Sequence, residues 1–314
     1  MKAFVGVTDG DWFEFLSGRA DLDEVNFWQP GGKTHFRALE EGELFLFKLH
    51  SPDNYIVGGG LFMHSTLLPV SVAWDAFDAA NGAESLSEMR TRVEFYRKRP
   101  ADAFEDYTIG CIVLTQPFFL SRERWIPIPG DWKPNIVQGR TYDLEKEPGL
   151  SLFRSLESAL AAGERTNAWP AQMRDPQPLQ ENRYGKPVLV APRVGQGGFK
   201  VLVTDAYGRR CSLTGERVLP VLEAAHIHPY GKGGEHRIDN GLLMRRDLHT
   251  LLDRGYVTVT PDMRIEVSRR IREEFENGRD YYALHGREIR APISPKHVPA
   301  KENLLWHNEN IFRG

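Results

Sequence analysis

Cysteine is scarce: the 314 residues contain two, Cys111 and Cys211, a hundred positions apart. That spacing excludes the paired CxxC of a structural zinc ribbon and any disulfide framework, and a reducing cytoplasmic compartment is the expectation. No run of 18 apolar residues is available to cross a bilayer. The amino terminus, MKAFVGVTDGDW, holds no apolar signal core because Asp9 and Asp11 interrupt it. Internal repeats and low-complexity tracts are missing too. So is a large charge excess: 40 Lys+Arg stand against 43 Asp+Glu, which argues against a polycation that coats DNA without selection. A soluble protein with no membrane partner is expected.

What is present is ordinary for a folded chain, 41% apolar and 26% charged, and the length predicts about two domains. The charge is uneven. Residues 1–60 carry 5 basic and 10 acidic side chains, whereas residues 186–256 carry 11 basic and 7 acidic. The later segment is therefore the better place for a phosphate partner.

Residues 3–7 read as a strand ended by the turn and cap chemistry of Thr8-Asp9-Gly10-Asp11. A hairpin is predicted from residues 43–50 (ELFLFKLH), a Ser51-Pro52-Asp53-Asn54 turn and residues 55–63 (YIVGGGLFM). Its first arm is apolar at consecutive positions, so both faces must be covered, as in a small closed or nearly closed barrel flanked by helices. Gly58-Gly59-Gly60 fits a sharply bent strand. Further strands are expected at 109–114 and 125–128 and a helix at 84–96. The chain then turns helical (LSLFRSLESALAA) and afterwards polar with scattered prolines, the composition of a connector. The expected division is 1–145, a connector at 146–187, and 188–314, with an α+β fold overall.

The window from Cys211 to Val259 carries the chemistry. Residues 221–228 read as a strand, 229–239 as a Gly-rich loop, 246–252 as a short helix and 256–259 as a strand. Phosphodiester hydrolysis needs a base for water, a divalent cation for the developing charge, and donors that orient the strand. His226 can take a proton near neutral pH. His249 and Asp253, four residues apart, project from one helix face and can hold one metal ion, Mg²⁺, Mn²⁺ or similar. Lys232, Arg245, Arg246 and Arg254 can neutralise phosphates, although Arg245 and Arg246 also fit a solvated helix face.

This window resembles the His-Asn-His nuclease motif, whose ββα fold clasps one metal. The first His of the pattern falls on His226, followed by Pro229 and the Gly233-Gly234 pair. Asn240 matches the middle Asn, which the resemblance implies braces the loop or the base; His249 matches the second His, a metal ligand, and Asp253 stands where many members place another. One departure is Ala225, where many members carry an Asp or His ligand. His228, on the same face as His226 by alternation, is then the candidate third ligand, or a phosphate contact. His236 reads as loop structure, and Cys211 as a buried apolar thiol. More widely, residues 192–259 resemble the nuclease half of modification-dependent restriction endonucleases.

The segments FVGVTDGDWFEF, VNFWQP, GELFLF and IVGGGLF resemble the EVE branch of PUA-like barrels, relatives of SRA base-flipping domains. The resemblance implies a first domain that turns a modified cytosine (5-methyl or 5-hydroxymethyl) out of duplex DNA into a pocket. Trp12, Phe27, Trp28 and Trp74 are the candidate walls, with Asp9 or Asp11 accepting from the cytosine amino group. The run Arg90, Arg92, Arg97, Lys98 and Arg99 is a candidate backbone contact. The expectation is thus a DNA endonuclease with a PUA-like reader domain. The alternatives are a reader of modified nucleic acid that does not cut and a nuclease for another mark. Double-strand cutting with one site per chain implies a homodimer or two successive nicks.

Overall fold

A computed structural model describes residues 1–19, 22–98, 102, 104–161 and 194–314; Arg99 and most of the proline-rich stretch lie outside these. The chain divides into two compact units, Met1–Gly195 and Gln196–Gly314.

In the first unit the order is β1 (Lys2–Thr8), α1 (Gly10–Ser17), β2 (Glu24–Gln29), β3 (Leu44–Leu49), β4 (Tyr55–Pro69), α2 (Val70–Phe77), α3 (Leu86–Arg97), β5 (Thr108–Phe119), β6 (Ile126–Pro127), β7 (Gly139–Asp143) and α4 (Gly149–Ala161). The strands form one seven-stranded sheet in the order β2-β5-β4-β3-β1-β7, with β6 attached to β4. Among the described residues only β1 and β3 pair in parallel. The predicted hairpin is β3-β4, with register Leu44 opposite Leu61.

All six residues of β3 are buried, as a strand apolar on both faces requires. The glycines of β4 allow close packing: a Cβ at Gly58 would meet the Phe118 carbonyl oxygen at 2.3 Å, and one at Gly59 the Phe45 carbonyl oxygen at 2.6 Å. The β4-β5 register also shifts between Gly59 and Leu61, the local irregularity expected where a long strand changes direction.

Helix α4 falls in the stretch expected to connect the domains. Its Leu152, Leu156 and Leu160, at helical i, i+4 spacing, are buried in the same core as Ala3, Val5, Leu44 and Leu46. It is a structural part of the first unit.

The second unit runs α5 (Gln196–Ala206), β8 (Leu222–His226), β9 (Gly241–Arg245), α6 (Arg246–Asp253), β10 (Val257–Val259), β11 (Ile265–Val267), α7 (Arg270–Phe275), α8 (Arg279–Tyr282) and α9 (Lys301–Asn310). β8 and β9 form an antiparallel hairpin with His226 opposite Gly241, and α6 follows at once, giving a ββα unit. Residues 241–245, which the element-by-element reading left out, supply its second strand. The strand at 257–259 pairs instead with β11. Cys111 and Cys211 are both buried and unbridged. Among the described residues no helix is long and apolar enough to cross a membrane.

Candidate active site

His226 is the last residue of β8. Its ring lies flat on Phe199 of α5, with centroids 3.9 Å apart and planes 11° apart, and its Nε2 is 3.0 Å from Nδ1 of His236. Burial, then the nearby His236 and His249, lowers its pKa to about 4, so the ring is neutral at pH 7 and has a lone pair to offer.

His249 projects from α6. Its Nδ1 is 2.8 Å from Glu223 Oε2 and its Nε2 is 3.4 Å from Asp253 Oδ2. Glu223 also accepts from Arg246 Nε at 2.6 Å. Burial opposes ionisation of the Glu223 carboxyl, yet the hydrogen bonds from His249 and Arg246 outweigh it and hold the carboxyl below its ordinary value. Burial raises Asp253 instead, with the Glu223 carboxylate adding to the shift and His249 opposing it.

An imidazole nitrogen with a carboxylate beside it is a donor pair suited to a divalent cation. Glu223 and Asp253 meet opposite nitrogens of the His249 ring, and among the described residues no three His, Cys, Asp or Glu groups converge on one ion-sized point. Glu223 escaped the sequence reading, which looked for a ligand at position 225. Ala225 is fully buried, and the carboxylate beside His249 Nδ1, that of Glu223, lies two residues earlier on the same strand.

Asn240 is almost fully buried and ties the loop together. Its Nδ2 donates to the carbonyl oxygens of His228 and Glu235, both at 2.9 Å, and its Oδ1 accepts from the His228 backbone amide, also at 2.9 Å. His228 does not join the carboxylate cluster. Its ring stacks on Trp306 at 3.9 Å and its Nε2 lies 2.9 Å from the Lys232 carbonyl oxygen. The alternation that put it beside His226 does not apply, because β8 ends at His226.

The four candidate phosphate cations differ. Arg245 is paired with Asp247 at 2.5 Å and Arg246 with Glu223. The Lys232 ammonium lies 5.9 Å from the centroid of the Trp306 ring. Arg254, exposed, caps the C-terminus of α6.

The first unit holds a separate cavity of about 280 Å³ lined in part by Asp9, Trp12, Phe27, Trp28, His50 and Tyr96. Four of the six candidate pocket residues thus share one space; Asp11, on α1, and Trp74, on α2, are not among its walls. The volume is at the small end of ligand pockets. Asp9 is placed by its role as N-cap of α1, where Oδ1 accepts from the Trp12 amide. Burial raises the Asp9 carboxyl despite that bond. Burial and the Asp9 and Asp11 carboxylates push the Tyr96 hydroxyl up to about 12, so it remains a donor. The ring of Tyr96 is parallel to that of His50, centroids 5.8 Å apart. Trp12 and Phe27 also belong to the core, meeting edge to face at 5.6 Å. Trp28 donates its indole N–H to the Asn81 carbonyl oxygen at 3.0 Å, which fixes the plane of that wall.

Residues 211–260 match the sequence family described as HNH endonuclease, a span that holds β8, the loop, β9 and α6. No curated protein matches the chain. Among solved structures, the chain is similar to an ASCH protein from Zymomonas mobilis at 10% identity and a TM-score of 0.32, over 50% of this chain and 94% of that one. It is also similar to the modification-dependent TagI restriction endonuclease at 15% identity and a TM-score of 0.28, over 93% of this chain and 77% of that one.

Proposed function

With an HNH endonuclease domain at residues 211–260 as premise, we propose that the chain is a modification-dependent restriction endonuclease acting on duplex DNA that carries modified cytosine. The first unit receives a cytosine turned out of the helix, and the second hydrolyses a phosphodiester bond nearby. What supports the reader function is the convergence of Asp9, Trp12, Phe27 and Trp28 on one small cavity. Aromatic walls stack on a base, and a carboxylate accepts from an exocyclic amine. Unstacking costs a few kcal/mol, which stacking at ~1–3 kcal/mol per base together with edge hydrogen bonds offsets.

In the nuclease unit, His226 takes a proton from water at Nδ1 as the water oxygen attacks phosphorus in line with the departing 3′ oxygen. Asn240 holds the loop that carries the base's neighbours. Lys232 and Arg254 steer the phosphate backbone, while Arg245 and Arg246 hold the carboxylates beside them. A divalent cation such as Mg²⁺ or Mn²⁺, held by His249 Nε2 with Asp253 while Glu223 orients the ring through Nδ1, would supply neutralisation of charge on the phosphate and leaving oxygen. Cutting both strands takes two copies of the chain or two successive nicks.

The reading is tested by digesting matched duplexes containing cytosine, 5-methylcytosine or 5-hydroxymethylcytosine, with Mg²⁺ and Mn²⁺ supplied separately. Cleavage confined to modified duplex is expected. Equal cutting of unmodified DNA removes the reader role, and gel retardation of modified DNA without nicking in either ion makes the chain a reader that does not cut.

A pH dependence follows from His226. The base works only when neutral, and burial with the neighbouring His236 and His249 holds its pKa down at about 4, so the acid limb that His226 contributes to kcat/KM falls at about that value. An unperturbed histidine would give an acid limb near 6.5 instead. Single-turnover rates between pH 4 and 8, with circular dichroism confirming the fold at each pH, distinguish the two.

A further inference from the structure

We propose that His236 is a positioning residue that fixes which nitrogen of His226 is basic; the proposal rests on the reading of His226 as the general base. The loop after β8 is built to deliver this ring. Gly233 has a positive φ of 98°, and a Cβ on Gly234 would lie 1.9 Å from the His228 carbonyl oxygen, so the chain doubles back tightly there. Asn240 then grips both arms of the turn, the His228 carbonyl on one side and the Glu235 carbonyl on the other. Pinning Glu235 places the next residue, His236, with Nδ1 at 3.0 Å from His226 Nε2.

Aromatic packing holds the couple. Tyr230 stacks on His236 at 4.3 Å with planes 9° apart, and Phe199 stacks on His226 while lying 5.7 Å from His236. These contacts resist rotation of either ring.

A hydrogen bond between two imidazoles holds one proton, and the two placements differ in consequence. If His236 Nδ1–H donates, His226 carries its own proton on Nδ1 and has no lone pair for water. If His226 Nε2–H donates, Nδ1 is the basic nitrogen. Only the second arrangement performs the reaction, and it requires His236 to offer an unprotonated Nδ1. After Nδ1 accepts the proton from water, Nε2–H still donates to His236, and the bond becomes charge-assisted as the imidazolium forms. His236 thus acts through His226 and does not itself touch the phosphate. Asn240 gains a purpose in the same way, since its clamp on Glu235 sets the distance between the rings.

The test uses the full chain. His236→Phe keeps a ring against Tyr230 and removes the acceptor; His236→Asn places an amide oxygen near the position of Nδ1. Turnover is expected to fall about 10- to 100-fold in His236→Phe, the usual scale for loss of an orienting partner, with KM for DNA unchanged and much of the rate restored in His236→Asn. ¹⁵N spectra of histidine-labelled protein, with the His226 signals assigned from His226→Gln, should show the proton on Nε2 in the native chain. Wild-type turnover in His236→Phe overturns the proposal, as does a native His226 protonated on Nδ1. The spectra read the couple even if a variant fails to fold. Should His226→Gln itself cut normally, the premise has failed rather than the role of His236.

Discussion

Replacing His226 with alanine is expected to slow strand cleavage by about 10²- to 10⁴-fold, the usual worth of a positioned general base, while leaving the affinity for modified duplex unchanged. The two effects separate because the cavity containing Asp9 and Trp28 belongs to the other unit. Alanine also removes the ring stacked on Phe199, and the hole left behind lowers the stability of the second unit. His226→Gln fills more of that space and should be equally inactive, which separates lost chemistry from lost packing. Nicking of a supercoiled plasmid reports the first effect and gel retardation on 5-methylcytosine duplex the second. If both variants cut at the native rate, the base lies elsewhere.

What the sequence made legible divides along the range of the interactions involved. His249 and Asp253 were readable as a candidate pair because helical geometry brings residues i and i+4 together whatever the tertiary fold, and the two are in contact at 3.4 Å. His226 was readable as a candidate because residue type, the following proline and the glycine pair occur in one stretch. Glu223 was not. It meets His249 across 26 positions of sequence, and that meeting depends on how α6 crosses the hairpin, which no local pattern encodes. His228 was misread for the opposite reason: strand alternation was extended two residues past the point where β8 stops and Asn240 takes over the backbone amide.

The same division applies to the first unit. The two-faced apolar arm 44–47 demanded burial on both sides and received it. The pattern of Leu152, Leu156 and Leu160 announced an amphipathic helix without naming its partner, so α4 passed for a connector when it is core. Trp74 could not be told from Trp28 by type alone. The cavity takes in the residue at the end of β2 and leaves out the one on α2.

Removing the imidazole of His249 is expected to abolish cleavage in both Mg²⁺ and Mn²⁺ and, independently, to abolish stabilisation by the ion. A ligand that binds only the folded state adds about 2.7 kcal/mol when present at 100 times its Kd, a shift that thermal unfolding resolves. Native protein should therefore unfold at a higher temperature with Mn²⁺ than with chelator, and His249→Ala at the same temperature in both. Glu223→Gln provides the finer test. It keeps the shape of the side chain and an oxygen for Arg246 Nε, which now sits 2.6 Å from the carboxylate, but removes the negative charge beside His249. If Glu223 is a ligand, the ion-dependent shift shrinks along with cleavage, and more Mn²⁺ restores part of each. Were Glu223 only an anchor for the His249 ring, the variant would lose activity without any change in the concentration of ion needed for half-maximal rate. Cleavage by His249→Ala at the native rate, or an undiminished response to Mn²⁺, would show that the cation is held by other groups.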